Sequence, residues 1–310
     1  DRAGVWGGGY SLAALVPGFT ILQHLGRGAG SHIFRAKDLK TGHVVALKRV
    51  VRHSAEDEKY LIQTEREYEV ARQLDHPNLR RCLDLRYVRE GPIVQELLLV
   101  MELVPGWTLE RRRPSNPLEA VEVFIAMARG LAALHDRGLI HSDIKPRNVL
   151  VGPNGVVKII DFGQACPIGT VKQRMQGTPD FLAPEQVRLD PLDERTDVFG
   201  LGATMYWTLT GHGLPTPMPG KGPSPWPVAE GGLLRWTGPM PPVELNPAVP
   251  LPLSDVVMRA CQERACDRPG NMGELIAALQ AVIWAPGEGG VTTRPTEAPA
   301  DGSTRLARSS

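Results

Sequence analysis

The sequence predicts an α+β fold of two lobes, a small strand-rich N-terminal lobe and a larger, mostly helical C-terminal lobe. Short runs typical of β-strands occupy 19–25, 33–37 and 44–51, with turn residues between them. One helical pattern follows at 56–74 and a further strand at 97–104, after which helical patterns dominate. Such a two-lobed arrangement leaves a crevice, and crevices are where ligands bind preferentially.

A well-defined helix start opens the C-terminal part. Asn116 can cap the helix, Pro117 suits the first helical position and Glu119 can close a capping box. Apolar residues then recur at spacings of four and three, which indicates one buried helix face formed by Ala120, Phe124, Met127, Leu131 and Leu134. The segment 197–209 is apolar on nearly every side and predicts a helix buried within the lobe. Two more helical patterns close the domain, at 253–262 and 273–283.

The organisation along the chain predicts one folded domain between two tails. We expect this domain over 17–284, with the N-lobe at about 17–103 and the C-lobe at about 104–284. Residues 1–16 are glycine-rich and predict a flexible arm. Residues 285–310 are rich in Gly, Pro, Ser and Thr and predict a disordered tail or linker.

The bulk composition excludes some classes of partner. The chain has 310 residues, 42% of them hydrophobic, and a formal net charge of +1. A near-neutral chain has no electrostatic footprint for nucleic acid or an anionic membrane, so we expect neither as a partner. No apolar run reaches the length that a membrane-spanning helix needs. Since the first residue is Asp and not Met, we expect the chain to be a piece of a longer protein.

The cysteines indicate the redox compartment. They are widely spread, at Cys82, Cys166, Cys261 and Cys266. The last two are too far apart for a CxxC metal site and have no second ligand pair nearby. We therefore expect free thiols and a cytoplasmic location. The three arginines at 111–113 are interpreted as a solvated loop, with a docking patch as the alternative.

The segment 141–163, HSDIKPRNVLVGPNGVVKIIDFG, carries the chemistry. Two short apolar runs joined by an Asn-Gly turn predict a β-hairpin. Because a hairpin brings its open ends together, Asn148 and Asp161 should lie side by side, with Asp143 and Lys145 a few residues away. An amide, two carboxylates and an ammonium then share one small space. This set suits Mg²⁺, which takes few protein oxygens and leaves its other positions to water and phosphate.

This segment resembles the catalytic and metal-binding loops of the protein kinases, H-R-D-L-x-x-x-N followed by D-F-G. Further motifs in the family's order extend the resemblance over about 17–284, and the chain resembles a eukaryotic-type (Hanks-type) serine/threonine protein kinase. Residues 196–202 and 245–250 are similar to its bacterial branch. The resemblance implies the two-lobed protein kinase fold, with a small antiparallel β-sheet and one main helix in the N-lobe. It also implies ATP and Mg²⁺ (or Mn²⁺) as cofactors, and a protein substrate.

The resemblance implies a nucleotide site in the N-lobe. The glycine-rich turn 26–33 lies between two strands, and its glycines would let backbone N–H groups approach phosphates closely. The third glycine of the family's pattern falls on Ser31. The segment 45–48 matches V-A-I-K, so Ala46 would face the adenine and Lys48 the phosphates. The implied ATP-binding residues are Gly26, Arg27, Gly28, Ala29, Gly30, Ser31, Ile33, Ala46, Lys48, Glu67, Met101, Glu102, Val104 and Leu150.

A helix carboxylate is expected to pair with the lysine of this site. Glu67 lies on the apolar face of the 56–74 helix, where a carboxylate is costly unless a cation meets it. The family's lysine–glutamate pair supplies the cation, so we expect Lys48 to pair with Glu67. Glu65 and Glu69 are the competing partners.

The resemblance also implies the catalytic roles. Asp143 would accept the proton of the substrate hydroxyl, and Lys145 would stabilise the γ-phosphate. Asn148 and Asp161 would hold the metal, while Lys48 would orient the nucleotide phosphates. The lysine stands before a proline, as in the serine/threonine version of this loop, so Ser or Thr acceptors are expected.

Scaffold roles are implied downstream. The segment 177–185 resembles the end of an activation segment, in which Glu185 would pair with Arg268. Asp197 would anchor the catalytic loop from below. Thr178, which we take as structural, points to a protein substrate. Phe162 and Gly163 complete this structural set.

Departures from the family's pattern carry further expectations. Ser142 replaces the arginine that usually grips a phosphate on the activation segment, so this segment should not depend on such a phosphate. Thr170 is the exposed phosphosite expected there. Arg147 replaces a glutamate that often meets a basic residue of the peptide, so a preference for basic substrates is not expected. Prolines and glycines at 214–250 predict an irregular surface with an altered docking site.

Two alternative functions compete with an active protein kinase. A nucleotide-binding pseudokinase, acting as a scaffold or regulatory module, is favoured by Ser31, Ser142 and the unusual docking region. The retained motif residues oppose it. A small-molecule phosphotransferase is opposed by the presence of residues 178–185 and of Arg268.

Overall fold

The structure, a computed structural model, describes residues 16–28, 30–214 and 239–284. It has the predicted two-lobed α+β architecture, with a five-stranded antiparallel sheet in the N-lobe and a helical C-lobe. The tail expected at 285–310 and the arm expected at 1–16, apart from Val16, lie outside the described residues. Val16 itself is 3% exposed and packs into the core of the sheet.

The N-lobe sheet has the strand order β1-β2-β3-β5-β4. Its strands are β1 (Phe19–Gly28), β2 (Ser31–Asp38), β3 (Val44–Val51), β4 (Cys82–Glu90) and β5 (Ile93–Met101). The first three contain the predicted strands. The sequence does not predict β4, because CLDLRYVRE carries four charged residues, which an edge strand can direct to water. β5 ends earlier than the predicted strand at 97–104.

Helix α1 (Glu58–Ala71) is shorter than the predicted 56–74 at both ends. At its start, the Asp57 carboxylate accepts hydrogen bonds of 2.8 and 3.0 Å from the backbone N–H groups three and four residues earlier. This arrangement holds a 3-10 turn ahead of the helix. At its end, the backbone N–H of Leu74 bonds to the carbonyl three residues back, which tightens the last turn.

The C-lobe is built on two helices that pack against each other and against the helices that close the domain. Its elements are β6 (Trp107–Thr108), α2 (Pro117–His135), β7 (Leu139–Ile140), β8 (Val149–Val151), β9 (Val157–Ile159), β10 (Cys166–Pro167), α3 (Pro184–Arg188), α4 (Glu194–Thr210), α5 (Pro242–Leu245), α6 (Leu251–Ala260) and α7 (Met272–Trp284). α2 packs on α4 and α7, and α4 packs on α6. As predicted, α4 is buried at nearly all of its positions.

The start of α2 differs from the predicted capping box by one residue. Asn116 Oδ1 accepts a hydrogen bond from the backbone N–H of Glu119 (2.9 Å), as expected. The reciprocal bond is made with Ser115, whose backbone N–H and hydroxyl both donate to Glu119 Oε2 (2.8 and 2.6 Å). Ser115 competes successfully because it offers two donors to one carboxylate oxygen.

The predicted irregular segment 214–250 is described only in part, since residues 215–238 lie outside the described residues. Over 239–250, regular structure consists of the four-residue helix α5. The altered docking site expected in this segment stays a prediction. Among the helices of the described ranges, none combines the length and the hydropathy that crossing a membrane requires.

Candidate active site

A buried ion pair joins β3 to α1. Lys48 Nζ donates a hydrogen bond of 2.5 Å to Glu67 Oε2, with side-chain exposures of 14% and 1%. Burial acts to lower the pKa of Lys48, but the carboxylates of Glu67 and Asp161 outweigh it and raise that pKa above its ordinary value. The ammonium therefore stays charged at neutral pH.

The two competing glutamates of α1 lie elsewhere. Glu69 is 61% exposed and pairs with Arg72 on the surface of the same helix. Glu65 interacts with Tyr87 of β4. Among the three glutamates, Glu67 is therefore the one that reaches Lys48.

A second buried cation contacts Glu67, and it is not among the residues that the sequence predicts for the site. Arg80 is 8% exposed, and its Nη2 lies 3.6 Å from Glu67 Oε1, the carboxylate oxygen that Lys48 does not use. The arginine lies in the loop before β4, next to the exposed Arg81, so no periodicity distinguishes it as a buried residue. Its contribution also helps to lower the pKa of Asp161.

The catalytic loop, residues 141–148, brings three of the predicted side chains together. Lys145 Nζ donates to Asp143 Oδ2 at 2.7 Å and to Thr178 Oγ1 at 3.2 Å. Asn148 Nδ2 donates to the backbone carbonyl of Asp143 at 2.9 Å. The Asp143 carboxylate thus lies between the Lys145 ammonium and the Asn148 amide, whose nitrogen is 3.4 Å from Oδ2. It is close to Thr178 of the activation segment, which we define as residues 161–185.

The predicted hairpin is formed by β8 and β9. Asn154 and Gly155 have φ values of 57° and 71°, the left-handed conformation that a tight hairpin turn requires. The backbone N–H of Ile160 donates to the carbonyl of Asn148 at 2.9 Å, so the two ends of the hairpin lie side by side. This pairing places Asn148 next to the residue before Asp161, as expected of a hairpin.

Asp161 is held in its ionised form. Burial acts to raise its pKa, but the Lys48 ammonium and a 2.9 Å hydrogen bond from the Gly163 backbone N–H help to lower that pKa below its ordinary value. A carboxylate in this form and the amide oxygen of Asn148 are hard oxygen donors. They fit Mg²⁺, since the amide nitrogen of Asn148 is already used in hydrogen bonds to Asp143.

The residues after Asp161 link the site to α1. Phe162 is 1% exposed, and its ring centroid lies 5.8 Å from that of His141. Gln63 Nε2 of α1 donates to the backbone carbonyl of Gly163 at 3.3 Å. Helix α1 therefore contacts the D-F-G segment directly through this hydrogen bond.

Asp197 anchors the catalytic loop. Its carboxylate accepts the backbone N–H groups of His141 (2.7 Å) and Ser142 (2.8 Å) and lies 2.9 Å from His135 Nε2. Burial acts to raise the pKa of Asp197, but the two histidines and these hydrogen bonds lower it. His135 is not among the predicted site residues, although it follows Leu131 by four residues on the buried face of α2.

A second buried ion pair holds the end of the activation segment. Arg268 Nη1 and Nη2 donate to the two carboxylate oxygens of Glu185 at 2.7 and 2.9 Å, and Thr196 Oγ1 donates at 3.0 Å. This two-point geometry is the strongest that an arginine and a carboxylate adopt.

The glycine-rich turn closes the hairpin of β1 and β2. Gly28 pairs with Ser31, which is 4% exposed, and a Cβ on Gly28 would lie 2.8 Å from the serine hydroxyl. Gly30 has a φ of +65°, and a Cβ there would lie 2.4 Å from the ring of Tyr60 in α1. Ala29 lies outside the described residues. The remaining residues of the turn pair across the hairpin, Gly26 with Ile33 and Arg27 with His32.

The expected adenine-binding residues lie on neighbouring elements. Ala46 of β3 pairs with Met101 of β5, which is fully buried. Glu102 follows directly, and its carboxylate accepts a 3.0 Å hydrogen bond from Lys158 of β9. This bond ties the segment between the lobes to the hairpin. Val104 is buried and Leu150 of β8 is half-buried.

Comparison with known proteins agrees with this geometry. Residues 19–221 match the protein kinase domain family. The chain is 32% identical over 271 residues to a probable serine/threonine-protein kinase of Corynebacterium efficiens, covering 83% of this chain and 40% of that relative. It is 31% identical over 277 residues to the serine/threonine-protein kinase pkn3 of Myxococcus xanthus, covering 83% and 48%.

A third relative is the serine/threonine-protein kinase PknB of Mycobacterium tuberculosis, 32% identical over 268 residues, covering 83% of this chain and 42% of that protein. The chain thus spans less than half the length of these curated relatives. The buried lysine–glutamate pair, the catalytic loop and the hairpin with its D-F-G end lie within the matched residues. The chain belongs to the protein kinase family, in the Hanks-type serine/threonine branch found in bacteria.

Proposed function

We propose that this chain is an ATP-dependent kinase that transfers the γ-phosphate of ATP to serine or threonine hydroxyls of protein substrates. One observation carries the proposal. Lys145 and the amide of Asn148 hold the Asp143 carboxylate. Asn148 belongs to the same loop, and its carbonyl bonds to the residue before the D-F-G motif. These contacts support a site in which Asp143 is the base, Lys145 the cation, and Asn148 and Asp161 the metal ligands.

The residues divide the work of phosphoryl transfer. Asp143 positions the acceptor hydroxyl and accepts its proton, and Lys145 stabilises the charge of the γ-phosphate. Lys48, kept charged by Glu67, orients the α- and β-phosphates. The protein takes little part in covalent chemistry, so positioning and electrostatics provide most of the rate enhancement.

The metal would be held by Asp161 and Asn148. When bound there, Mg²⁺ (or Mn²⁺) neutralises charge on the phosphate oxygens. Two protein ligands are sufficient because Mg²⁺ keeps waters and substrate phosphates in its other positions. The ionised state of Asp161 at neutral pH supports this assignment.

We propose further that the activation segment reaches its working position without a phosphate. Ser142 cannot bind a phosphate as an arginine would, and it makes neutral hydrogen bonds instead. Its hydroxyl donates to the carbonyl of Gln164 at 2.7 Å, and its own carbonyl accepts from Gln186 Nε2 at 2.8 Å. These bonds tie the catalytic loop to both ends of the activation segment.

Substrate and compartment are proposed from the surface and the thiols. Arg147 is 71% exposed and pairs with Glu110. Because it is a cation at the position where the family often has a glutamate, it offers no negative charge to a basic peptide. All four cysteines are free thiols, which supports a reducing, cytoplasmic environment.

The test is phosphoryl transfer from labelled ATP, with Mg²⁺, to a generic protein substrate. Asp143→Asn should abolish transfer and keep nucleotide binding, whereas the exposed Asp136→Asn should keep both. The competing pseudokinase function predicts nucleotide binding without transfer in the unaltered protein. That result would replace the enzyme with a scaffold.

A further inference from the structure

One side chain of the activation segment turns inward while its neighbours face solvent. Over 171–175 every residue is exposed except Lys172, which is half-buried. Its Nζ donates to the backbone carbonyl of Gln164 (2.9 Å), to the side-chain amide oxygen of the same residue (3.2 Å) and to Ser142 Oγ (3.0 Å). All three donor positions of the ammonium are thus used.

Lys172 donates to the hydroxyl of Ser142, a residue with a strained backbone and several hydrogen bonds. Ser142 has a φ of 57°, a left-handed conformation that is costly for a residue with a side chain. Asp197 fixes its backbone N–H, Gln186 fixes its carbonyl, and its hydroxyl shares the Gln164 carbonyl with Lys172. Ser142 directly precedes the proposed catalytic base, so its orientation sets the orientation of that base.

The acceptors of Lys172 are all neutral oxygens. Within the described residues, none of the salt bridges includes Lys172. Burial lowers its pKa below the ordinary value, and the more distant Cys166, Asp143 and Asp197 only partly oppose this effect. Burying an ammonium against neutral partners costs folding free energy. Stability therefore does not account for this arrangement.

We propose that Lys172 is a positioning residue that fastens the activation segment to the catalytic loop through Ser142 and Gln164. This proposal rests on the proposed kinase function, and it identifies the contact that holds the activation segment in place. The cation lies on the segment itself and its acceptors lie on the loop and on the chain after the D-F-G motif. No added phosphate is needed to close this contact.

The experiment compares Lys172→Met with Arg174→Met, a matched control at an exposed position two residues away. Methionine keeps the apolar stem of lysine and removes its charge and donors. All variants carry the full chain and are treated with phosphatase first. Three properties are measured: kcat and KM for a protein substrate, hydrogen exchange over 163–176, and the melting temperature.

The proposal predicts that Lys172→Met lowers kcat about 10- to 100-fold, the effect of a displaced catalytic group. Exchange over 163–176 should rise, while the melting temperature stays level or increases because a costly buried charge is gone. Arg174→Met should match the unaltered protein in all three measurements. Lys172→Arg, which keeps charge and donors, should recover part of the lost kcat.

Two results overturn the proposal and leave the kinase function standing. In one, the unaltered protein transfers phosphate, and the Lys172→Met variant has the same kcat and the same hydrogen exchange. In the other, the kcat of Lys172→Met falls only where its melting temperature falls too, which is the behaviour of a residue with a purely structural role. If the unaltered protein transfers nothing, the kinase function fails, and hydrogen exchange alone decides whether Lys172 fastens the segment.

Discussion

Arg80 and Glu67 form a buried contact that adds a second cation to the lysine–glutamate pair. Arg80 Nη2 lies 3.6 Å from Glu67 Oε1, and Lys48 uses the other carboxylate oxygen. In the proposed function Lys48 turns toward the nucleotide phosphates, and Arg80 would then still supply Glu67 with a counter-charge. We therefore expect helix α1 to keep its position when nucleotide binds.

Replacing Arg80 by methionine tests this role. The substitution leaves Glu67 and Asp161 with Lys48 as their nearest cation, so we expect the free energy of unfolding to fall by about 1–3 kcal/mol and kcat to fall with it. The control is Arg81→Met, since Arg81 is 58% exposed and lies 3.9 Å from its nearest acid partner. Its loss should change stability by about 0.5 kcal/mol or less. Equal effects at the two positions in chemical denaturation would refute the role of Arg80.

The glycine-rich turn should tolerate a side chain at one glycine and not at another. Gly30→Ala adds a Cβ at a φ of +65° and 2.4 Å from the Tyr60 ring, so we expect a stability loss of about 1–2 kcal/mol. Gly26→Ala meets nothing within 4 Å and should cost about 0.5 kcal/mol or less in the nucleotide-free protein. Thermal unfolding of both variants is the measurement. Adding Tyr60→Ala should recover part of the loss in Gly30→Ala, and no recovery would mean that the ring is not the obstacle.

The Glu185–Arg268 pair predicts a pH dependence of stability. Burial acts to raise the pKa of Glu185, but the bonds from Arg268 lower it below its ordinary value of 4.5. A carboxylate whose pKa is lowered by folding stabilises the protein above that ordinary value, and its contribution disappears as pH falls through the lowered pKa. Unfolding free energies measured from pH 7 down to about pH 3 should therefore decline below about pH 5.

The variant Glu185→Gln isolates this contribution. It should be less stable at neutral pH by about 3–5 kcal/mol, since Arg268 is left buried without its partner. Its stability should also decline less steeply at acid pH. Asp255→Asn, at an exposed position of α6, should follow the unaltered protein at every pH. A Glu185→Gln curve parallel to that of the unaltered protein would contradict the assigned pKa shift.

The parts of the site that lie close together in the sequence could be predicted from it. An Asn-Gly turn between two apolar runs fixes a hairpin by local backbone preference, and the hairpin brings Asn148 beside the D-F-G end. The Lys48–Glu67 pair spans a longer stretch, and it could be predicted because a carboxylate on a buried helix face requires a cation. The family resemblance then supplied the order of the remaining motifs.

Features that depend on contacts between distant segments were not accessible in this way. Strand β4 is stabilised by pairing with β5, and its polar sequence gives no sign of that pairing. Arg80 and Lys172 are charged loop residues, and only the packed structure places them against Glu67 and Ser142. The reciprocal capping bond of α2 is made by Ser115 and not by Asn116, because Ser115 offers its hydroxyl as a second donor.

The most direct measurement is mass spectrometry of the phosphatase-treated chain after incubation with Mg²⁺, ATP and a generic protein substrate. We expect phosphate on serine and threonine residues of the substrate, at a rate unchanged by Thr170→Ala. Nucleotide binding without transfer, or transfer that begins only after Thr170 is phosphorylated, would contradict it.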